Sequence, residues 1–396
     1  MPAEPSRKCI IRIDGESLDD LYDDLIAVEI ADRGDEPSSF AIKLSLHQYR
    51  DGTWGRLDDN QDKQDKRARS FAPWQRVTIL AGYDERPDVL IDGYVAGVSP
   101  RFEPTASESH LVIWGYDASH AMDIEDKVVA WPDRKYSEVA SALFSAYGLT
   151  PQVIDTKVIN RADDNLLMQR GTDWQFLRRL GQRIGYEVVI RGATGIFAPP
   201  ELARTPQKDL AIAFGDDTNL VWFEPRLVAD LPSRITMART NVVDKVMETA
   251  TVAQTPLDVL GRRDGDALRA GRTLVKDKAV AIAPSEPTYD LGLMTDAITG
   301  QRRRSDWIVT GDGEIDGSLY ASPLRARNTV LIKGVGPTFA GMYYVTEVIH
   351  RFTPDDYMQR FKVVRNAVDL KDSDRSHTGS AELIDVASSG LVVAPP

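Results

Sequence analysis

The chain has 396 residues, of which 42% are hydrophobic and 27% are charged, and its 60 acidic against 48 basic side chains give a formal net charge of -12. Single domains usually hold about 100 to 200 residues, so about two to four packed units are expected. The acidic balance argues against a nucleic-acid coat or a surface for anionic lipid, because both need a basic field. No apolar run approaches the roughly 18 residues that span a bilayer, and the start has no segment of signal-peptide length. These features predict a protein that is made in the cytoplasm and does not insert into a membrane.

The first part of the sequence alternates apolar and polar residues, with turn signals between the runs. In "SFAIKLSLHQY" four apolar residues fall on one face at period two, as a half-buried strand requires: Phe40, Ile42, Leu44 and Leu46. The runs "WQRVTILAGY" and "DVLIDGYVAGVSPRF" flank the turn-forming "DERP" and predict a hairpin, and "SHLVIWGYD" predicts a further strand. Residues 8–128 are therefore predicted to form an antiparallel β-barrel, preceded by an arm at 1–7 and interrupted by a long exposed loop, "GRLDDNQDKQDKRARS".

The period changes in residues 129–208, which are predicted to form a separate α+β unit. "SEVASALFSAYGL" reads as a helix with Ser137 as its N-cap and Gly148 as its stop. In "QRGTDWQFLRRLGQRIGYEVVIRG", Thr172 and Gln175 fit a capping box, Gly185 ends the helix, and a strand follows. The apolar stripe of this second helix consists of Phe176, Leu177, Leu180 and Ile184.

Strand-like patterns resume after residue 208. Residues 209–245 and 311–370 are predicted to form a second β-barrel, with 246–310 as an insertion of little clear period and 371–396 as a flexible tail. Alternation from Tyr343 to His350 predicts a strand with two distinct faces. The basic run of Arg302, Arg303 and Arg304 is predicted to be a solvated loop.

Motifs that would carry chemistry are not found. The five histidines are far apart and have no helical i, i+4 pair, and the single cysteine, Cys9, lies in an apolar strand-like run. The glycine-rich segment from Gly334 to Gly341 lacks the Lys-Ser/Thr ending of a phosphate loop and precedes a strand, so it is interpreted as a turn. "DDNQDKQD" lacks the glycine and glutamate of a calcium loop, and no G-x-S-x-G elbow occurs. The sequence predicts no catalytic residue, no cofactor site and no metal ligand.

The helix that begins at Asp173 carries a polar cluster, Asp173 with Arg178, Arg179 and Arg183, beside Trp174. Because the apolar stripe explains Trp174 as packing, the cluster is interpreted as scaffold, with the arginines solvated or next to an acidic neighbour. A binding role for the arginines stays open as the alternative.

Three stretches resemble the late control D proteins of phages, which are the baseplate hub proteins of contractile tails, and the similar front half of the VgrG spike proteins of type VI secretion. They are "GYVAGVSPRF" with "LVIWGYDASHAMD", "QRGTDWQFLRRLGQRIGYEVVIRG", and "GVGPTFAGMYYVTEVIHRFTPDDYMQRFKVVRNA". Thr172 stands where the family usually has Ser. The residues that match the family signature are Gly115, Tyr116, Asp117, Ser119, His120, Gln169, Thr172, Asp173, Trp174, Phe176, Leu177, Leu180, Gly185 and Tyr186.

The resemblance implies a mainly β fold with α+β insertions, in which both barrels are of the tube type. It further implies a homotrimeric ring that acts as a symmetry adaptor between a hexameric inner tube and a trimeric spike within a virion-like baseplate. The implied partners are a second and third copy, the inner tube protein, a separate spike protein and other baseplate proteins. No enzyme activity, cofactor, metal or nucleic-acid specificity is implied. We expect tube contacts near Trp54 to Ser70 and Gly311 to Arg327, and spike docking by the tail from Lys371.

Two other functions remain as alternatives. The first is a polysaccharide- or receptor-binding β-protein of a tail tip, suggested by aromatic residues such as Trp54 and Trp74. The second is a cell-wall hydrolase, which would need two carboxylates across a cleft that sequence alone cannot select.

Overall fold

The structure is a computed structural model that describes residues 8–17, 19–57, 71–82, 87–228, 231–232, 234–241, 244–270, 280–282, 290–371 and 374. It is mainly β, with one large antiparallel sheet and short helices, which confirms the predicted fold class. Within the described residues, no helix is long and apolar enough to cross a membrane.

The first lobe is built by seven strands: β1 (Lys8–Ile13), β2 (Glu16–Ser17), β3 (Leu25–Arg33), β4 (Ser39–Ser45), β5 (Arg76–Gly82), β6 (Asp88–Arg101) and β7 (His110–Asp117). The predicted period-two face of β4 is confirmed, because Phe40, Ile42, Leu44 and Leu46 are all buried in the core of this lobe. The predicted hairpin is also confirmed, since β5 and β6 pair antiparallel. Alternation predicts strands such as β4 because a strand at the edge of a core buries one of its two faces.

A helical unit follows the first lobe. Its elements are α1 (Ser119–Met122), β8 (Lys127–Trp131), α2 (Tyr136–Ala146), β9 (Thr150–Val153), α3 (Ala162–Asn165), β10 (Leu167–Gly171), α4 (Asp173–Ile184), β11 (Glu187–Arg191) and β12 (Thr194–Ala198). Thr172 caps α4 by accepting a hydrogen bond from the Gln175 N–H at 3.2 Å, and Gly185 ends it in the left-handed conformation at φ 69°, as predicted.

One cap in this unit differs from the sequence prediction. The N-cap of α2 is Lys135, and Ser137 lies inside the first turn. The Lys135 N–H donates to the Glu138 carboxylate, while the Ser137 hydroxyl donates to Asp155 at 3.0 Å. Ser137 was therefore wrongly predicted as the cap, because a tertiary partner engages the side chain that would have capped the helix.

The second lobe begins with β13 (Gln207–Ala211) and β14 (Leu220–Leu227), and an insert unit follows. The insert comprises β15 (Arg234–Thr240), β16 (Met247–Val252), β17 (Arg263–Asp264), α5 (Gly265–Arg269), β18 (Val280–Ile282) and α6 (Leu291–Ser305). The second lobe resumes with β19 (Val309–Asp316), α7 (Gly317–Tyr320), β20 (Thr329–Lys333), α8 (Gly336–Phe339), β21 (Gly341–Phe352), β22 (Tyr357–Arg365) and β23 (Ala367–Val368). The segment Gly334 to Gly341 joins β20 to β21, which fits its interpretation as a turn.

Both lobes share a single sheet of thirteen strands in the order β14, β19, β22, β21, β3, β4, β7, β6, β5, β1, β2, with β13 and β20 attached beside β21. The junction is the antiparallel pairing of β21 with β3. Residues of β21 contribute to both cores: Val348 packs in the second lobe and Phe352 in the first. A register shift between Val345 and Glu347 switches the buried face of this strand, so its two predicted faces exchange roles along its length.

The insert unit contains its own small sheet, in the order β16, β15, β18, which packs on α6 through Ile235, Met237, Met294 and Ile298. Residues 234–240, which the sequence grouped with the second barrel, therefore pair within the insert. Arg302, Arg303 and Arg304 belong to the last turn of α6, and Arg302 is 4% exposed. The prediction of a solvated loop for this basic run is wrong, because these arginines contact neighbouring elements.

Several predictions fall outside the described residues. These are the arm at 1–7, most of the charged loop that begins at Gly55, His377, and the tail apart from Lys371 and Asp374. The predicted domain boundaries as a set stay a prediction.

Candidate interaction site

The signature residues of the α4 region form a buried hydrogen-bonded network. The Asp173 carboxylate accepts from Gln169 at 2.6 Å, from Lys127 at 2.7 Å and from the Tyr147 hydroxyl at 2.7 Å. Gln169 in turn accepts from the indole N–H of Trp131 at 3.1 Å. These bonds tie α4 to β8, β10 and α2. Every oxygen of the Asp173 carboxylate is occupied by a structural donor.

Electrostatics support a structural role for Asp173. Burial opposes its charge, but the hydrogen bonds from Lys127, Gln169 and Tyr147 outweigh burial and hold the pKa of Asp173 below its usual value. The carboxylate also lies in the first turn of α4, where the helix dipole favours negative charge. An ionised, fully bonded carboxylate is a poor general acid or base at neutral pH.

The apolar residues of the same signature lie beneath this network. Trp174, Phe176, Leu177 and Leu180 are buried in the core of the helical unit, and Tyr186 packs against that core. Interpreting Trp174 as packing therefore agrees with its position. The Thr172 hydroxyl, besides capping α4, donates to the Asp123 carboxylate and so connects the helix to the end of α1.

The signature residues at the end of β7 form a second cluster. Gly115 lies where the neighbouring strand approaches closely, because a Cβ there would be 2.0 Å from the Tyr94 carbonyl oxygen. The Asp117 carboxylate accepts from the backbone N–H groups of Ser119 at 2.9 Å and Ser38 at 2.8 Å. Burial raises the pKa of Asp117 to about 6. The cluster fixes the turn from β7 into α1.

Aromatic rings surround the end of this second cluster. His120 stacks on Trp74 with ring centroids 5.0 Å apart, and Tyr116 lies 5.4 Å from the same imidazole. Trp74 is exposed, whereas Trp54 is half-buried against Phe102 and the first core. Of the two aromatic residues named for the surface-binding alternative, Trp74 is the more exposed.

The arginines of α6 cap the C-terminal end of α4. Arg303 donates to the Ile184 carbonyl at 2.7 Å, and Arg304 donates to the Gln182 carbonyl. Gly300 allows the close approach, since a Cβ on it would be 2.3 Å from the Ile184 carbonyl carbon. Positive charge at a helix C-terminus complements the dipole. The insert therefore fastens onto the signature helix.

The arginines of α4 itself are engaged in different ways. Arg178 lies 3.7 Å from the Glu36 carboxylate, and Arg179 donates to the Arg170 carbonyl. The expectation of an acidic neighbour is therefore met for Arg178. Within the described residues, these arginine side chains do not form a ligand-binding site.

A charged junction, which the sequence did not indicate, joins the two lobes and the helical unit. Glu187 of β11 accepts from Arg327 at 2.6 Å and from the Tyr344 hydroxyl at 2.8 Å. Asp32 of β3 pairs with Arg325 at 3.2 Å. Burial raises the pKa of Glu187 despite Arg327. These pairs join residues more than 100 positions apart, which explains why spacing could not reveal them.

His350 lies near this junction and is completely buried. Its Nδ1 is 2.8 Å from the Tyr357 hydroxyl, and burial lowers the pKa of His350 to about 3, so the imidazole is neutral at physiological pH. Within the described ranges, no group of three or more His, Cys, Asp or Glu side chains is arranged to hold a metal.

Two cavities adjoin the junction. One, of about 280 Å³, lies between α4, α6 and the sheet and is lined by Arg178, Tyr186, Arg303 and Trp307, among others. The other, of about 330 Å³, lies between the first lobe and β11 and includes Asp32, Asp117 and Arg325. The carboxylates of the second cavity already accept bonds from backbone amides or from arginine, so they are engaged in the fold.

The terminal strands of the large sheet have features that hinder pairing with an additional strand. The Tyr22 hydroxyl accepts from the Ile11 N–H at 3.0 Å and donates to the Cys9 carbonyl at 2.8 Å, and thereby occupies the hydrogen-bonding positions of a missing neighbour of β1. At the other end, Pro225 interrupts the row of N–H donors in β14. Features of this kind protect edge strands from pairing with strands of other chains.

This fold is found in solved tail proteins. The 43 kDa tail protein of prophage MuSo2 from Shewanella oneidensis is 12% identical, with a TM-score of 0.60 over 92% of this chain and 100% of that one. A tail protein from Neisseria meningitidis MC58 is 10% identical, with a TM-score of 0.61 over 91% and 97%. A chain of the Francisella PdpA-VgrG complex is 8% identical, with a TM-score of 0.54 over 92% of this chain and 54% of that one. At these identities the likeness is one of fold.

A family model adds a different description. The model named the Alg8 N-terminal domain matches residues 57–354, and the chain belongs to that family. No curated protein matches the chain. The resemblance to tail proteins is therefore supported at the level of the fold, while the matching family model has a description other than late control D.

Proposed function

We propose that this chain is a structural component of a contractile tail or contractile injection particle. More specifically, we propose that it is the baseplate hub, a homotrimer that joins a hexameric inner tube to a trimeric spike. The observation that carries the proposal is the presence of two β lobes in one continuous sheet. Three copies would present six lobes to a sixfold tube, while the rest of each chain keeps threefold symmetry.

The continuous sheet suits a part that transmits force. Strands β3 and β21 pair over six registered positions, and the junction of Glu187, Arg327 and Tyr344 reinforces this seam. Hydrogen bonds across a sheet and a buried ion pair resist shear between the lobes. A hinge between two separate barrels would lack this resistance.

One face of the sheet carries charges of both signs in cross-strand pairs. Arg360 pairs with Glu314 at 3.1 Å, and Lys362 pairs with Glu347 at 3.0 Å. Such exposed pairs add little stability, so their value lies in keeping the surface hydrated and free of apolar patches. We propose that this face lines a water-filled channel of the ring.

Fold likeness supports the same proposal, because two of the matching structures are described as tail proteins and another belongs to a PdpA-VgrG complex. Further expected contacts belong to the proposal. Tube contacts are proposed near Trp54 to Ser70 and near Gly311 to Arg327, and spike docking by the tail from Lys371. The second of these regions covers most of β19, all of α7 and the segment that leads to the interlobe junction.

Native mass spectrometry of the chain co-expressed with its candidate inner-tube and spike proteins tests the proposal. A complex with three copies of this chain and three of the spike protein is the expected result. A chain that stays monomeric and binds neither partner would contradict it. Deleting the tail from Lys371 should weaken spike retention and leave the trimer intact.

A surface-binding function is the second candidate, and the exposed Trp74 stacked on His120 favours it. Aromatic faces of this kind are typical of sugar-binding surfaces. A pull-down with isolated cell walls discriminates between the candidates. Binding that is lost in Trp74→Ala, together with failure to form a trimer, would favour this candidate over the hub.

A further inference from the structure

The ribbon formed by β8 and β10 exposes an apolar face. The two strands pair antiparallel in register, and within the described residues they form a sheet with no third strand. Val128, Met168 and Arg170 project from the same face, because Arg170 is the cross-strand partner of Val128 and Met168 lies two positions before Arg170. Val128 is 77% exposed, which is unusual for a valine within a strand.

Neighbouring apolar residues extend this face. Ile124, just before β8, is 58% exposed, and Leu166, just before β10, is also exposed. The ribbon thus combines open strand edges with an apolar surface, the combination that favours association with another chain. We name the surface of Ile124, Val128, Leu166, Met168 and Arg170 the ribbon patch.

A second apolar surface lies on β14, a terminal strand of the large sheet. Val221 is 52% and Leu227 is 42% exposed. Leu227 lies four positions after Phe223, whose ring packs against the core of the second lobe, so Leu227 lies on the inward side of the strand, whereas Val221 lies at a register shift of β14. The core of the second lobe is therefore uncovered along β14. We name Val221, Leu227 and the adjacent Val228 the edge patch.

Charge distinguishes the two patches. Arg170 has no acidic partner among the described residues, and it is the cross-strand partner of the exposed Val128. The turn that leads into β14 exposes Asp216 and Asp217, which likewise have no basic partner in the described part of the chain. Both patches are apolar. A basic residue on one and acidic residues beside the other also make them complementary in charge.

The geometry of the ends of the sheet excludes the simplest alternative, in which β14 of one copy pairs with β1 of the next. Tyr22 already occupies the backbone groups of Cys9 and Ile11 on that edge. An incoming strand would have to displace this hydroxyl and two hydrogen bonds. Side-chain packing onto a different surface carries no such cost.

We propose that the ribbon patch of one copy docks on the edge patch of the next copy, which covers the open core along β14. This proposal rests on the proposed trimer and identifies its contact surfaces. Because the two patches differ, the contact is head to tail, and a rotation that closes after three copies gives a ring. The residues in contact are Val128 and Met168 on one side and Val221 and Leu227 on the other, with Arg170 facing Asp216 and Asp217.

Cysteine cross-linking of the full-length chain tests this contact. The native Cys9 is half-buried, and burial raises its pKa to about 12, so it is unreactive at mild pH. In a chain with both Val128→Cys and Val221→Cys, oxidation or a short bismaleimide should give a covalent ladder that ends at the trimer. The matched control pairs Val221→Cys with Ser107→Cys, an exposed position of the first lobe, and should give no ladder.

A charge exchange provides a second measurement. Arg170→Glu should dissociate the trimer at dilution, and Asp217→Arg in the same chain should restore it, as followed by native mass spectrometry. A trimer that forms normally but cross-links no better than the control would overturn this contact and leave the hub function intact. A chain that never forms a trimer would overturn both.

Discussion

Asp173→Asn tests whether the signature cluster is scaffold. Asn keeps the volume but replaces one acceptor oxygen by an amide that cannot accept, so at least one of the Gln169, Lys127 and Tyr147 donors loses its acceptor. Hydrogen bonds to charged groups contribute about 1.5–3 kcal/mol each. Lys127 is 29% exposed and can return to water, which reduces its share. We expect the free energy of unfolding to fall by about 2–3 kcal/mol.

The assay is urea unfolding followed by tryptophan fluorescence, combined with hydrogen exchange of the α4 amides. Asp88→Asn, at an exposed acid outside the proposed contact between copies, is the control and should change stability by less than about 0.5 kcal/mol. Because the pKa of Asp173 is lowered, the wild-type advantage is present above its usual value of 3.8 and is lost as the pH falls through the lowered pKa. Unchanged stability with impaired assembly would refute the scaffold interpretation and identify Asp173 as a contact residue.

Three further predictions follow from burial and close contacts. The pKa of His350 is lowered to about 3, so its stabilising contribution is complete above its usual 6.5 and is lost as the pH falls toward 3; thermal melts of His350→Gln across this range should have a smaller slope than the wild type. Gly115→Ala should cost about 3 kcal/mol, seen as reduced soluble yield and a lower melting temperature, because its Cβ would meet the Tyr94 carbonyl at 2.0 Å. Arg303→Met should lower stability by about 1–2 kcal/mol and speed hydrogen exchange at the end of α4, since it removes the bond to the Ile184 carbonyl; unchanged exchange there would contradict the capping role.

Local patterns were sufficient to predict some of the individual elements. The period of β4 and the caps of α4 depend on residues within a few positions of each other, and both were predicted. The prediction that Ser137 is the N-cap of α2 was wrong because of a tertiary contact. The Ser137 hydroxyl has the chemistry of a cap, but Asp155 and Thr156 engage it from another segment. Local propensity identifies a capable side chain without specifying which partner it takes.

The arrangement of the elements could not be predicted in the same way. The pairing of β3 with β21 joins residues about three hundred positions apart, and nothing in either strand's alternation identifies the partner. The prediction that the arginines of α6 lie in a solvated loop was wrong for a related reason. A run of three basic residues has the composition of an exposed loop, yet here it ends a helix whose charges meet the carbonyls of α4.

The interlobe junction explains why a scaffold would retain buried charges. Replacing a buried ion pair by apolar residues is often neutral for stability, so Glu187 and Arg327 are not required for stability alone. Their bonds are directional, however, and the Tyr344 hydroxyl fixes the carboxylate from a second angle. An apolar seam between the lobes would tolerate sliding, whereas this network permits one orientation. In a ring whose lobes must match a sixfold partner, a fixed angle between the lobes is the property that the junction supplies.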